Sequence, residues 1–351
     1  MDRSLHGFQR TGMTSSAPAS TGASRSRYVE RASHDVDEHA THISAWQQEY
    51  DQLSRGRFEG TVRELWIDAP RLQVFHERTG PQTGQRCQPW PGSVWFGIPD
   101  GQGAEPLHFC GRLQATDRVR AVLSARSGDG FVLRTPRHFG IYGVVVDEAW
   151  LAERLQALGP CAPALSGARV TSARASPISA QRHAALCQTI ESMLSLGASG
   201  EADQGWERAA QRALVDRLLG LVAGDGRDEA AAIGVQGTRR RLATVMAARS
   251  LATHPHNHAV SVEALCEQLH LTPRTLHNHF ASVVGESPAE FLRVVRLNAC
   301  RRKLRGAPHG HRVQDVAAQW GFFHMGRFSH EYQALFGELP SQTLRLARSR
   351  H

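Results

Sequence analysis

The stretch 321-GFFHMGRFSHEYQALFGELPSQTLR-345 decides how the last third of the chain is read. Its larger part, 328-FSHEYQALFGELPSQTLR-345, aligns without gaps on 276-LHNHFASVVGESPAEFLR-293, 52 residues upstream. Gly285/Gly337, Glu286/Glu338, Pro288/Pro340, Leu292/Leu344 and Arg293/Arg345 are identical. Leu276/Phe328, Phe280/Tyr332, Val283/Leu335 and Val284/Phe336 agree in kind. A match of this quality marks an internal duplication, so the stretch is the second copy of one structural unit.

Each copy follows the pattern helix, tight turn, helix. In the first, 261-SVEALCEQLH-270 predicts a short helix with Val262, Leu265 and Leu269 inward. His270 falls at the turn, where a positive φ is needed and His tolerates it better than most side chains. Thr272 suits an N-cap and Pro273 the first helical turn. Leu276 and Phe280 then share one face, four residues apart. In the second copy 313-VQDVAAQW-320 is the short helix, Gly321 the turn, and Phe328 with Tyr332 the inward pair. The second copy carries one extra residue between the turn and that pair.

Such units place their second helix in the major groove of DNA, N-terminal residues foremost. Two units on one chain fit groove segments one turn apart, ~34 Å, and a helix over about 288–304 at ~1.5 Å per residue spans much of that distance. Its 296-RLNACRRKLR-305 is strongly basic, as expected of a helix facing phosphates. The candidate DNA contacts are Arg274, Thr275, His277 and Asn278 in the first unit and Arg296 on the basic helix. In the second unit they are His324, Met325, Gly326, Arg327, Ser329 and His330. Arg pairs with guanine and Asn with adenine, whereas Gly326 has no side chain to read a base. The second unit is therefore expected to read less and position more.

Charge points the same way. From Thr238 to the C-terminus there are 16 Arg/Lys against 7 Asp/Glu; the preceding residues carry 25 against 26. A basic block on an otherwise neutral chain suggests a polyanionic partner.

Upstream, 62-VRELWI-67, 72-LQVF-75, 93-SVWFGI-98, 119-VRAVL-123, 131-FVLR-134 and 141-IYGVVV-146 are short apolar runs separated by turn residues. They predict a β-rich sandwich or barrel of cupin or jelly-roll type. Helices follow over about 177–196 and 205–223. The expected organisation is α+β and multidomain. A disordered arm covers 1–30, a ligand-sensing and dimerisation domain 31–223, a linker 224–237, and an all-α DNA-binding domain 238–346 with units at 261–282 and 313–336. No apolar run reaches the ~18–20 residues of a membrane span. The six cysteines include no CxxC pair, which suits reduced thiols in the cytoplasm.

With these motifs the C-terminal part resembles the AraC/XylS family of bacterial transcription regulators over about residues 238–346. The resemblance implies promoter DNA and RNA polymerase as partners, a homodimer, and no enzymatic activity. It places base contacts on Arg274, His277, Asn278, Met325, Gly326, Ser329 and His330. The runs 35-DVDEHATHISAWQQEYDQLSRGRFEG-60, 72-LQVFHERTG-80 and 89-PWPGSVWFGIP-99 resemble regulators of ethanolamine-utilisation operons. That narrower likeness implies an activator responding to ethanolamine and adenosylcobalamin, with no cofactor required. The alternative within the family is another catabolic or stress operon with a different inducer.

A small hydroxylated cation suits an aromatic wall with a carboxylate. Glu64, Trp66, Trp90, Trp95 and Tyr142 are the candidates in the β-rich part. Asp37-x-His39-x-x-His42 lacks the glycine of a DxHxxG corrinoid motif, and His254, His256 and His258 read as a loop rather than a metal site. There is no nucleophile elbow or Gly-rich phosphate loop.

Overall fold

The computed structural model describes residues 26–101, 107–114, 120–157, 173–201, 203–223, 231–254, 260–306 and 311–348. In chain order the N-terminal part holds β1 (Arg27–Ser33), α1 (Val36–His39), β2 (Gln47–Gln52), β3 (Gly60–Ile67), β4 (Leu72–Thr79), β5 (Thr83–Gln88), β6 (Ser93–Pro99), β7 (Leu107–Phe109) and β8 (Arg112–Gln114). It continues with β9 (Arg120–Arg126), β10 (Phe131–Thr135), β11 (Phe139–Asp147), α2 (Glu148–Ala157), β12 (Arg174–Ile178), α3 (Ala180–Ser199) and α4 (Gln204–Ala223). The C-terminal part is α5 (Ala231–Thr253), α6 (Val262–Gln268), α7 (Pro273–Val283), α8 (Pro288–Arg305), α9 (Val313–Gln319), α10 (Met325–Phe336) and α11 (Pro340–Arg348).

The strands form two antiparallel sheets. The larger has the order β1-β3-β4-β11-β6-β9-β12 and the smaller β2-β5-β10-β7-β8. Side chains alternate across the larger sheet, as strand geometry requires. Val62, Trp66, Phe75, Trp95 and Val145 face the smaller sheet, where Tyr50, Phe109, Phe131 and Leu133 meet them. Leu65, Val74, Phe96 and Val144 face the other way, onto Leu186, Ile190, Leu214 and Leu218 of α3 and α4. Gly97 and Gly143 are paired across β6 and β11. A Cβ at Gly97 would lie 2.2 Å from the Trp95 ring, and one at Gly143 2.0 Å from the Phe75 ring. Their bareness is what lets those two rings lie flat in the core.

Several boundaries differ from the expectation. β1 begins at Arg27, inside the span read as an arm, whose first 25 residues lie outside the described residues. α5 begins at Ala231, so the second half of the expected linker is helical. Pro177, expected to open a helix, lies in β12, an edge strand where its missing N–H is tolerated. The helix starts three residues on, capped by the Ser179 side chain, which accepts from the Arg182 N–H.

Candidate nucleic-acid interface

The two C-terminal units are built as their sequences predict. Each has its own core: Leu265, Leu276, Phe280 and Val283 in the first, Val316, Phe328, Tyr332, Leu335 and Phe336 in the second. His270 takes φ 52° at the first turn and Gly321 φ 79° at the second. The Thr272 side chain accepts from the Thr275 N–H and caps α7. Gly285 and Gly337, identical in the repeat, follow the two second helices at φ 72° and 70°, the left-handed conformation that glycine ends helices with. Pro288 and Pro340 then open α8 and α11.

Burying one face of each second helix leaves the other to solvent. On α7 Arg274, His277 and Asn278 are exposed and Thr275 is half-buried. At α10 His324, Gly326, Arg327 and His330 are exposed, with Met325 and Ser329 half-buried. Arg327 is held by Glu331 at 2.8 Å, one turn along. Thr275 and Asn278 also line an open concavity with Arg241 of α5. Arg241 was not among the expected contacts; the run Arg239-Arg240-Arg241 was its signal in the sequence. His279 on the same wall accepts from or donates to the Thr244 hydroxyl at 3.0 Å. Burial, with Arg241 and Arg240 nearby, lowers the affinity of its imidazole for a proton.

The basic connecting helix corrects the expectation. Arg296 is half-buried and donates to the Val260 carbonyl, and burial depresses its pKa. Arg301 pairs with Asp35, Arg305 with Asp35, and Arg302 with Asp51 at 3.0 Å and Asp37 at 3.2 Å. From α5, Arg249 joins Asp51 at 2.8 Å and Glu49 at 2.6 Å. Four positive side chains of the C-terminal part are thus matched by carboxylates of α1 and β2 and its approach, not turned to phosphate. Part of the charge asymmetry in the chain is spent on docking the two parts together.

Neutral contacts complete the docking. Asn298, 1 % exposed, accepts from the Gln52 N–H at 2.8 Å and donates to the Gln52 carbonyl at 2.9 Å. Its carboxamide continues the pairing of β2, an edge strand. The Gln52 side chain and the Gly56 N–H donate to the Leu335 carbonyl, at 2.6 and 3.2 Å, satisfying the open C-terminal end of α10. Arg134 pairs with Glu286 just after α7. The β-rich part therefore grips both second helices at their C-terminal ends and leaves their N-terminal halves open.

The expected small-molecule residues are largely internal. Glu64 accepts from the Ser44 N–H at 2.8 Å, the Ser44 hydroxyl at 2.7 Å and Gln73 at 2.6 Å. Trp66 donates to Ser44 and Trp90 to Gln73, so these three candidates are brought together. The aromatic wall already holds a cation: the Arg71 guanidinium lies 4.3 Å from the Trp90 ring and 5.2 Å from Trp66. Trp95 is stacked on Phe131 at 4.0 Å between the sheets. Tyr142 is on the opposite sheet face, stacked on His76 at 4.2 Å and donating to Glu191. A cleft of about 890 Å³, lined by Asp35, Glu38, Phe58, Arg301, Phe336 and Glu338 among others, lies between the β-rich part and the second unit. His256 and His258 lie outside the described residues.

Residues 265–346 match the helix-turn-helix domain family. This part of the chain is a helix-turn-helix domain. Over 87 residues the chain is 38% identical to the XylDLEGF operon transcriptional activator of Pseudomonas putida, covering 24% of this chain and 27% of that protein. A second Pseudomonas putida relative, XylDLEGF operon transcriptional activator 2, is 37% identical over 89 residues, 25% of this chain and 57% of its own. The probable thc operon regulatory protein of Rhodococcus erythropolis is 33% identical over 87 residues, 24% of this chain and 26% of its own. The chain thus spans about a quarter of the length of the first of these relatives. Among solved structures, the AraC-like transcriptional activator CuxR superposes over 83% of this chain and 100% of its own, at 13% identity and a TM-score of 0.35. No helix among the described residues is long and apolar enough to cross a membrane.

Proposed function

We propose that the chain is an AraC/XylS-type transcription activator that binds promoter DNA through both units of its helix-turn-helix domain. The observation that carries this is the pair of second helices, each buried on one face and bare at the end that enters a groove. Arg274, His277 and Asn278 offer base-reading groups in the first unit. His324, Arg327, Ser329 and His330 do so in the second, with Met325 and the bare backbone of Gly326 between them. Arg241 joins the set as a phosphate contact, and Arg296 leaves it. The names of the relatives support control of a catabolic operon.

The β-rich part acts in this reading as the sensor. The resemblance of its N-terminal runs to regulators of ethanolamine-utilisation operons implies ethanolamine and adenosylcobalamin as inducers, and the cleft against the second unit is where a small molecule would alter the docking. Recruitment of RNA polymerase and formation of a dimer belong to the same reading. Selection from a random duplex library with the full-length chain, followed by hydroxyl-radical footprinting, tests the DNA claim. Two protected segments about one helical turn apart, ~10 bp, are expected; recovery of no preferred sequence would refute it. Calorimetry with ethanolamine and adenosylcobalamin, alone and together, tests the inducer, and absence of heat with both removes that finer reading.

A further inference from the structure

The extra residue of the second copy can be located by comparing the two turns. In the first, His270 turns the chain, Leu271 is partly buried in the unit's core, and Thr272 caps the helix. In the second, Gly321 turns the chain, and Phe322 is partly buried with its ring 5.0 Å from Phe328. The N-cap position is His324. Phe322 therefore plays the part of Leu271 and His324 that of Thr272. The residue with no counterpart is Phe323.

Phe323 is 71% exposed, the most exposed large apolar side chain among the described residues. A single exposed apolar residue is ordinary on a protein surface. This one is the added residue of a duplicated unit, set at the leading end of a helix whose solvent face is polar. Its neighbours there are His324, Arg327 and the bare Gly326, where a Cβ would meet nothing within 4 Å. The helix can thus approach bases closely, while its end presents an aromatic ring. The apolar group that a DNA major groove offers is the C5-methyl of thymine, and phenylalanine is among the side chains that contact it.

We propose that Phe323 is a specificity-determining residue that packs on a thymine methyl in the groove segment under the second unit. The second unit then adds an apolar contact to its polar groups, whereas the first reads by hydrogen bonding. This rests on the DNA-binding reading above.

The test replaces each thymine of the selected site singly by deoxyuridine, which lacks only the methyl, and measures binding by fluorescence anisotropy. For the wild-type chain one replacement under the second unit is expected to weaken binding about fourfold, the worth of burying one methyl-sized group. Phe323→Ala should bind the unmodified site more weakly by at least that factor and show no further loss on that replacement. Because Phe323 is exposed, the variant should keep the wild-type dependence on the bases under the first unit, which also shows that it folds. A selected site with no thymine under the second unit overturns the proposal, as do replacements there that are all neutral or a penalty that survives in Phe323→Ala. In those cases a selected site still exists and the DNA-binding reading stands. If no site is selected, both fall.

Discussion

Asn298 illustrates how much one side chain carries. Fully buried, it pairs with both backbone groups of Gln52, 246 residues earlier. Removing its carboxamide leaves a buried N–H and carbonyl unpaired, which costs ~1–3 kcal/mol. Asn298→Ala should lower stability by about that amount in urea denaturation. Arg274 is the residue-scale test of reading. Arg274→Ala should cost about 1–3 kcal/mol at the selected site and relax preference at one base pair. Equal weakening on all sequences would assign Arg274 to phosphate instead. Its exposure follows from the helical spacing of Leu276 and Phe280, so it was legible in the sequence. That Trp66 and Trp90 already hold Arg71 was not, because residue type alone does not show which cation an aromatic face receives.

The helices of the two units show what repetition makes readable. The turns at His270 and Gly321, the cap at Thr272, and the glycines and prolines that end and begin helices all act locally. Their spacing in the sequence therefore determined them. Thr272→Ala should destabilise the chain by ~1 kcal/mol through the lost cap. His324→Ala should be near neutral in the same thermal or urea measurement, since His324 makes no capping bond. The polar strands were the opposite case. β2 (QQEYDQ) and β5 (TGQRCQ) carry neither an apolar run nor a clean alternation. Glu49 and Asp51 look like surface charges until Arg249 and Arg302 arrive from the far end of the chain. The same distance hides the partners of 296–305: Arg301, Arg302 and Arg305 find carboxylates inside the protein, and Arg296 a backbone carbonyl.

For the whole molecule, those carboxylates make the docking of the two parts acid-sensitive. Burial opposes ionisation of Asp51, but Arg249, Arg302 and Arg86 outweigh it and hold the carboxyl at about 2. Glu49 is half-buried, and although burial opposes its ionisation, Arg249, Arg86 and Arg302 lower it too. Asp37 is raised, by burial foremost, despite Arg302 and Arg301, and so works weakly in the opposite sense. A depressed folded pKa gives stability that is present above the unfolded value, ~3.9, and lost as pH falls through the folded one. Asp51→Asn should therefore be less stable than wild type by roughly 2 kcal/mol near pH 6, with the difference shrinking between about pH 4 and pH 2. A difference constant across that range would show that Asp51 is not held by its arginines.

Whether the docked molecule reads DNA with both units is tested by titrating the selected duplex against a scrambled one at several salt concentrations. Log Kobs is expected to fall linearly with log salt concentration, with the selected site preferred by ~10³-fold or more at equal salt. Equal affinity for the two duplexes, or binding that salt does not change, would contradict it.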